Sequence, residues 1–307
     1  MKNPIELAKI IRSGAIESAH FGHICLRDNN SGLKAWGDEE FKCFTRSCIK
    51  PIQAKISKDL LGDSLKNEFL AISCGSHLAE KEQMDTVHKF LEKFSIQAPE
   101  VQCGSLSKSR GNLNSNLEHN CSAKHIAIIA ACKKQDWDSS SYLSIEHPYN
   151  QLLLKELGRL SGLKDIRIGY DDCGLPSFHM SLKAMSLIFL NLIKDPAYKE
   201  IVSAMNRFPF LLGGQRQIDS LLMNKYPGKF LAKGGAEGIM AVANLETEES
   251  LIIKIIDGSN RAKGVITSKV LKELGWIEEE ILDSKAILDS KGKAVANIES
   301  TFRSEKD

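Results

Sequence analysis

The stretch FTRSCIKPIQAK, residues 44–55, places Ser47 three residues ahead of Lys50 as the chain enters a helical pattern. A serine and a lysine one turn apart share a helix face, where a neutral amine could take the hydroxyl proton and make Ser47 an acyl-enzyme nucleophile. That is the S-x-x-K logic of penicillin-recognising enzymes. The bland alternative is a capping hydroxyl beside a solvated lysine. Spacing does not choose between them, because Ser31, Ser105, Ser161 and Ser290 also stand three residues before a lysine. Two neighbours favour chemistry. Pro51 suits a first helical turn, so Ser47 would lie at a helix N-terminus, where the macrodipole favours developing negative charge. LAKGGAEG puts Lys233 near a strand end, before two glycines that let a ligand approach the backbone. Acyl enzymes of this kind keep a second lysine there in a K-T-G triad, although Gly234 here replaces the hydroxyl residue. The plain reading of Lys233 is an exposed lysine before a glycine turn.

Two further segments could bind a metal. In HNCSAKHIAIIA, residues 119–130, Asn120 or Ser122 could cap a helix, leaving Cys121, Lys124 and His125 on its first turn. Cys121 is then either a buried cysteine or a thiolate that attacks or ligates. In GYDDCGLPSF, residues 169–178, two carboxylates and Cys173 precede a glycine-proline turn, which is ordinarily a solvated loop with a core cysteine. If Cys173 met Cys121, the pair would offer Zn²⁺ two soft ligands. Lys124 could join them only with its amine neutral, so His125, His77 and His20 are the more ordinary nitrogen candidates.

The elements around these residues run sheet, helices, sheet. AHFGHICLRD, then NNSG and LKAWG, read as a β-hairpin near the N-terminus. From residue 47 to about 225 apolar residues recur at helical spacing, interrupted by a short strand candidate at DIRIGYDDCGLP. KFLAKGG, GIMAVANL and SLIIKIID then read as three meander strands, followed by a helix at AKGVITSKVLKELG. The expected fold is α/β of the α+β type, with one antiparallel sheet built from N- and C-terminal strands and a helical layer against it. No Gly/Ser linker divides residues 1–307, which read as a single domain. The last thirty or so residues, with the short duplication ILDSKAILDSKGK, read as surface structure or a loose tail.

Composition narrows the partners. The 41 basic and 39 acidic residues nearly cancel, which argues against nucleic acid and anionic membrane and for a small molecule or a second copy. The longest apolar run, AMSLIFLNLI, is half of the roughly 20 residues a spanning helix needs. The N-terminus lacks a signal-peptide pattern, and eight cysteines without a CxxC pair suit a reducing compartment, so the expected location is cytoplasmic.

Taken in order, SGAIESAH, TRSCIKP, SCGSHLAE, HNCSAKH, EHP, YDDCGLP, LLGGQR and LAKGGAEG resemble the class 3, or rhizobial-type, L-asparaginase family. The resemblance runs over most of the chain and implies a serine β-lactamase-like fold. It implies hydrolysis of the side-chain amide of L-asparagine to aspartate and ammonia, in a homodimer. Carried onto this sequence, it makes Ser47 the nucleophile, Lys50 its base and Lys233 a second catalytic lysine. Cys121, Lys124 and Cys173 become ligands of Zn²⁺, and Asp171, Arg46 and His77 substrate contacts.

Three positions depart from the family pattern. Leu78 stands where a second serine follows the motif histidine, which breaks the second serine-lysine tandem unless Ser76 or a water substitutes. Ala123 and Asp172 stand where glycines flank the zinc motifs, with added bulk and charge beside the metal. Two other readings therefore stay open. One is a serine acyl-transfer enzyme for another amide, such as glutamine or a β-lactam-like ring. The other is a zinc and amino-acid binding protein that has lost turnover.

Overall fold

The protein is described by a computed structural model covering residues 2–105 and 115–304. Lys108, three residues after Ser105, lies outside the described residues. Strands β1 (Ile5–Arg12) and β2 (Ala15–Arg27) form a hairpin whose turn residues Ser13 and Gly14 both have positive φ, 49° and 81°. That geometry matches the twist of the flanking strands, and Gly14 adopts it without strain. The first half of β2 pairs with β1 and its second half with β3 (Leu33–Trp36), which is why the strand runs 13 residues. The β2–β3 turn is the expected NNSG cluster, held by Asp28, whose Oδ1 accepts from the Asn30 and Gly32 amides at 2.8 Å.

The meander strands are β7 (Phe230–Gly234), β8 (Ile239–Asn244) and β9 (Glu249–Ile255), and β9 pairs antiparallel with β2. N- and C-terminal strands thus join in one antiparallel sheet, as the sequence suggested. Its order is β10-β11-β1-β2-β9-β8-β7, with β10 spanning Ser284–Leu288 and β11 Ala294–Ser300. Of the two readings of the C-terminal residues, surface structure or a loose tail, the loose tail is therefore corrected. β11 pairs with β1 and buries Ala296 and Ile298, while β10 is the exposed edge. Alternation in AVANIES spans only a few residues, so its pairing with a strand nearly 300 positions away is not a local signal.

Between the two halves of the sheet lie the helices. The first are α1 (Lys50–Leu61), α2 (Glu68–Ser73), α3 (Lys81–Lys93), α4 (Ser122–Lys134) and α5 (Pro148–Ser161). After strands β5 (Arg167–Tyr170) and β6 (Pro176–Ser181) come α6 (Leu182–Lys194), α7 (Lys199–Arg207), α8 (Phe210–Gly213) and α9 (Ile218–Lys225), and α10 (Lys263–Glu273) follows β9. β5 and β6 form a small second sheet with β4 (Lys42–Phe44). Residues 122–132 of α4 are all buried, as expected of a helix apolar on every side with helices around it. AMSLIFLNLI falls in α6, which packs on β2, β8 and β9. Strands β7 and β8 are buried at every position, so both faces of this part of the sheet are covered, α6 and α10 being among the helices against it. Among the described residues no helix is long and apolar enough to cross a membrane.

Candidate active site

Ser47 lies in a 3-10 turn, Arg46–Ile49, that leads directly into α1. The capping alternative fails: Thr45 and Ile49 occupy the two cap positions, and neither the turn nor the helix is capped by a hydrogen bond from a side group. Pro51 sits in the first turn of α1, as expected, and Lys50 opens the helix fully buried. The other serine-lysine spacings do not compete, since Lys34, Lys164 and Lys293 are all exposed.

The turn carrying Ser47 packs against the end of β7. Cys48 Sγ donates to Lys233 O at 3.2 Å, and its buried thiol is pushed up to about 12, so it is a packing group and not a nucleophile. A Cβ on Gly235 would lie 2.5 Å from Ile239 Cγ2 and 3.3 Å from both Arg46 Cβ and Cys48 Sγ. The bare glycine is what allows β7 and the serine turn to meet.

Lys50 reaches away from solvent to three acceptors. Its Nζ donates to Gly75 O, to Ser76 Oγ at 3.0 Å and to Asn120 O at 3.1 Å. Burial pushes the amine down to about 8, partly offset by Cys121 and helped by the charges of Lys124 and Lys233. Lys233, also fully buried, donates to the same Ser76 Oγ at 3.1 Å, to Gly234 O at 2.6 Å and to Asp219 Oδ2 at 3.5 Å. One hydroxyl therefore joins two buried lysines. Of the two substitutes the sequence left open at Leu78, the structure has Ser76 beside Lys233, while Leu78 stands half-buried on a cavity wall, its amide held by Gln83 Oε1.

Asp219 escaped the sequence reading, which saw only helical spacing of apolar residues up to about residue 225. It lies in the first turn of α9, and its Oδ2 accepts from the Gly234 amide at 3.0 Å. Burial works against its ionised form, but Lys233, the Gly234 amide and Lys263 outweigh that and hold its carboxyl below the usual range. Lys263 escaped as well. Its buried Nζ donates to Gly235 O at 2.7 Å, and desolvation pushes it down to about 8. A Cβ at Gly234 would meet Lys263 Nζ at 3.2 Å, so this lysine approaches the place of the hydroxyl residue of K-T-G. A buried Asp or Lys is a signal in three dimensions only, because its sequence neighbours look like any solvated turn of helix.

The metal candidates also converge. Cys121 ends up as the N-cap of α4 and Lys124 in its first turn, with Lys124 Nζ 3.3 Å from Cys173 Sγ. The neighbouring Cys173 holds the Cys121 thiol well below its ordinary range, and Cys121 in turn pushes Cys173 up. Desolvation opposes charge on Lys124, but the two cysteines overcome it and raise its pKa. Two sulfurs and an amine thus form a compact donor set of the soft type that zinc takes. Among the described residues no three His, Cys, Asp or Glu side chains gather around a common point, and this set holds only two such side chains, both cysteines. The histidine alternatives go elsewhere. His125 Nδ1 pairs with Tyr142 OH at 2.7 Å, and His20 with Asp257 at 2.6 Å.

His77, expected as a substrate contact, is locked between neighbours. Its Nε2 lies 2.8 Å from Ser122 Oγ, its Nδ1 accepts from the Ala79 amide at 3.3 Å, and burial pushes it down to about 3. It is a neutral tie between the Ser76 loop and α4, and it takes the Ser122 hydroxyl that was expected to cap that helix. Arg46 and Asp171 meet each other, with Nε donating to Oδ1 at 2.7 Å, and Arg46 Nη2 reaches Asp172 at 2.6 Å. The pair clamps the serine turn to the Cys173 loop. Asp172 points its exposed carboxylate outward onto Arg46.

A profile of the family described as L-asparaginase II matches residues 8–300. Among solved structures, a beta-lactamase from Mycobacterium bovis is similar at a TM-score of 0.48 and 10% identity, covering 82% of this chain and 94% of its own. A structure from Bacteroides dorei, titled as a candidate beta-lactamase, is similar at 0.46 and 12%, covering 82% and 92%. No match was found among curated proteins.

Proposed function

The chain belongs to the L-asparaginase II family, and from that membership we propose that it hydrolyses the side-chain amide of L-asparagine to aspartate and ammonia through an ester on Ser47. The observation that carries the mechanism is the hydrogen-bonded run Lys50–Ser76–Lys233. With its pKa near 8, Lys50 is in part a neutral amine at physiological pH. The carbonyls of Gly75 and Asn120 can only accept, so they take its two N–H groups and leave the lone pair for a hydroxyl proton.

The steps follow from those positions. Ser47 Oγ attacks the amide carbonyl carbon and its proton passes to Lys50. Ser76, joined to both lysines, returns a proton to the amide nitrogen, and the C–N bond breaks with loss of ammonia. Water then attacks the ester as Lys50 takes its proton, Lys50 hands that proton to Ser47 Oγ as the C–O bond breaks, and the acid released ionises to the carboxylate. The N-terminus of α1 adds a favourable field for the developing oxyanion. Cys121, Lys124 and Cys173 fit Zn²⁺, which when bound would supply a Lewis-acidic positive charge to hold the α-amino or α-carboxylate group of the substrate. Holding the substrate there lets the amide be placed over Ser47, and positioning is itself a large catalytic term.

A second reading has one specific support: in the resting arrangement Lys50 bonds Ser76, while Ser47 Oγ makes no hydrogen bond among the described residues. On that reading Ser76 is the nucleophile. Acid-quenching the enzyme during turnover and mapping its peptides by mass separates the two. An aspartyl ester on the peptide holding Ser47 is expected, one on Ser76 selects the second reading, and unimpaired ammonia release by both Ser47→Ala and Ser76→Ala enzymes would sink the acyl-enzyme proposal.

A further inference from the structure

The two buried lysines share Ser76 Oγ, but their surroundings differ in one group. Lys50 Nζ meets neutral acceptors, the carbonyls of Gly75 and Asn120 and the hydroxyl itself. Lys233 Nζ meets the same hydroxyl at 3.1 Å, Gly234 O at 2.6 Å and, 3.5 Å away, the carboxylate of Asp219. An ammonium has three N–H bonds and no lone pair, so these acceptors use all of its donors, and one of them carries the balancing charge.

Asp219 is itself fixed. Its Oδ1 accepts from the Ser220 amide at 3.0 Å and its Oδ2 from the Gly234 amide at 3.0 Å, so the carboxylate cannot swing away from Lys233 without losing both. Lys233 is fully buried and Asp219 is 4% exposed. A lone charge at such a depth is costly, whereas a charge paired and hydrogen-bonded there is retained. Lys263 is the other cation near this carboxylate, but its Nζ is taken up by Gly235 O at 2.7 Å and Asn260 Oδ1 at 3.1 Å.

We infer that Asp219 is a positioning residue for the amide step: it keeps Lys233 an ammonium aimed at Ser76, so Lys233 acts as a fixed charge while Lys50 and Ser76 move the proton. This rests on the amidohydrolase reading above. The Ser47 proton passes to Lys50 as the new C–O bond forms. Ser76 gives its own proton to the amide nitrogen as the C–N bond breaks, and Lys50, 3.0 Å away, gives the proton it took to Ser76 Oγ. Negative charge that gathers on Ser76 Oγ during this exchange faces the Lys233 ammonium, which stabilises it without losing a proton. One proton has moved from Ser47 to ammonia, and Lys233 and Asp219 end as they began.

An amide nitrogen must be protonated to leave, whereas the alkoxide of an ester needs less help, so the role of Asp219 should depend on the leaving group. The test compares kcat/KM for ammonia release from L-asparagine with that for methanol release from L-aspartate β-methyl ester, using zinc-replete wild type, Asp219→Asn and Asp219→Glu. Asp219→Asn is expected to lower the amide value about 100-fold and the ester value about tenfold or less, so that the amide-to-ester ratio falls about tenfold. Asp219→Glu, which keeps the charge, is expected to hold that ratio within about threefold of wild type. A ratio unmoved by Asp219→Asn overturns the inference and leaves the asparaginase reading standing, because a carboxylate serving the fold alone would slow both substrates alike. Should Asp219→Asn fail to fold, nitrogen-15 spectra of the wild type at pH 8 read the charge directly, with the Lys233 signal assigned by its loss in Lys233→Arg. An ammonium signal from Lys233 supports the inference, and a neutral-amine signal overturns it. Neither ammonia nor methanol from the wild type overturns both readings.

Discussion

Lys233 on β7 donates to Ser76 Oγ at 3.1 Å across 157 residues of sequence. Lys50 bonds the same oxygen at 3.0 Å, so a helix, a loop and a sheet strand each supply one member of a hydrogen-bonded run.

Removing that oxygen should separate the two lysines without touching Ser47. Ser76→Ala is expected to lower kcat for ammonia release by about 10²–10⁴-fold, the usual span for a positioned acid–base group. The melting temperature should fall as well, since the substitution takes an acceptor from two fully buried lysines. A variant at wild-type rate would remove Ser76 from the mechanism.

Activity should rise with pH through about 8, because Lys50 works as a base only once deprotonated. The same shift has a stability signature. The folded pKa lies below the unfolded value near 10.4, so between these values the unfolded protein binds the extra proton and stability rises with pH. Relative to Lys50→Met, the wild type should gain up to about 3 kcal/mol between pH 8 and 10.5. Chemical denaturation of both proteins at several pH values measures it, and a constant difference would contradict the burial argument.

Zinc binding should be lost in Cys121→Ala and in Cys173→Ala by elemental analysis, with folding retained. Because Lys124 is held protonated in the metal-free arrangement, loading should release protons and tighten as pH rises. Calorimetry in buffers of different ionisation enthalpy counts those protons, and unchanged stoichiometry in the cysteine variants would remove the site.

Gly235→Ala tests the contact between β7 and the serine turn. The new methyl would have to displace Ile239 and press on Arg46 and Cys48, costing about 1–3 kcal/mol and moving Ser47. Both the melting temperature and kcat should fall. A stable variant of normal activity would show that the approach is looser than the structure indicates.

Much of the site was legible because its signals are local. A serine one turn before a lysine, with a proline in the first turn, is written within five residues, and Lys233 announces itself by a strand that ends in two glycines. Cys121 and Cys173 were legible as a possible pair, though only folding brings Lys124 Nζ within 3.3 Å of Cys173 Sγ. Leu78 left a choice open: matched by position it breaks a tandem unless Ser76 or a water substitutes, and Ser76, two residues earlier, is the one that faces the lysines.

The sequence by itself determined the order of sheet, helices and sheet and the chemical types gathered at the site, because periodicity and residue identity act over short spans. Tertiary structure alone decided the C-terminal strands, the role of Ser76, the buried Asp219 and Lys263, and the mutual clamp of Arg46 with Asp171. Each of those depends on burial and on hydrogen bonds between distant segments. Desolvation acts on a lysine or an aspartate only after the fold has closed around it.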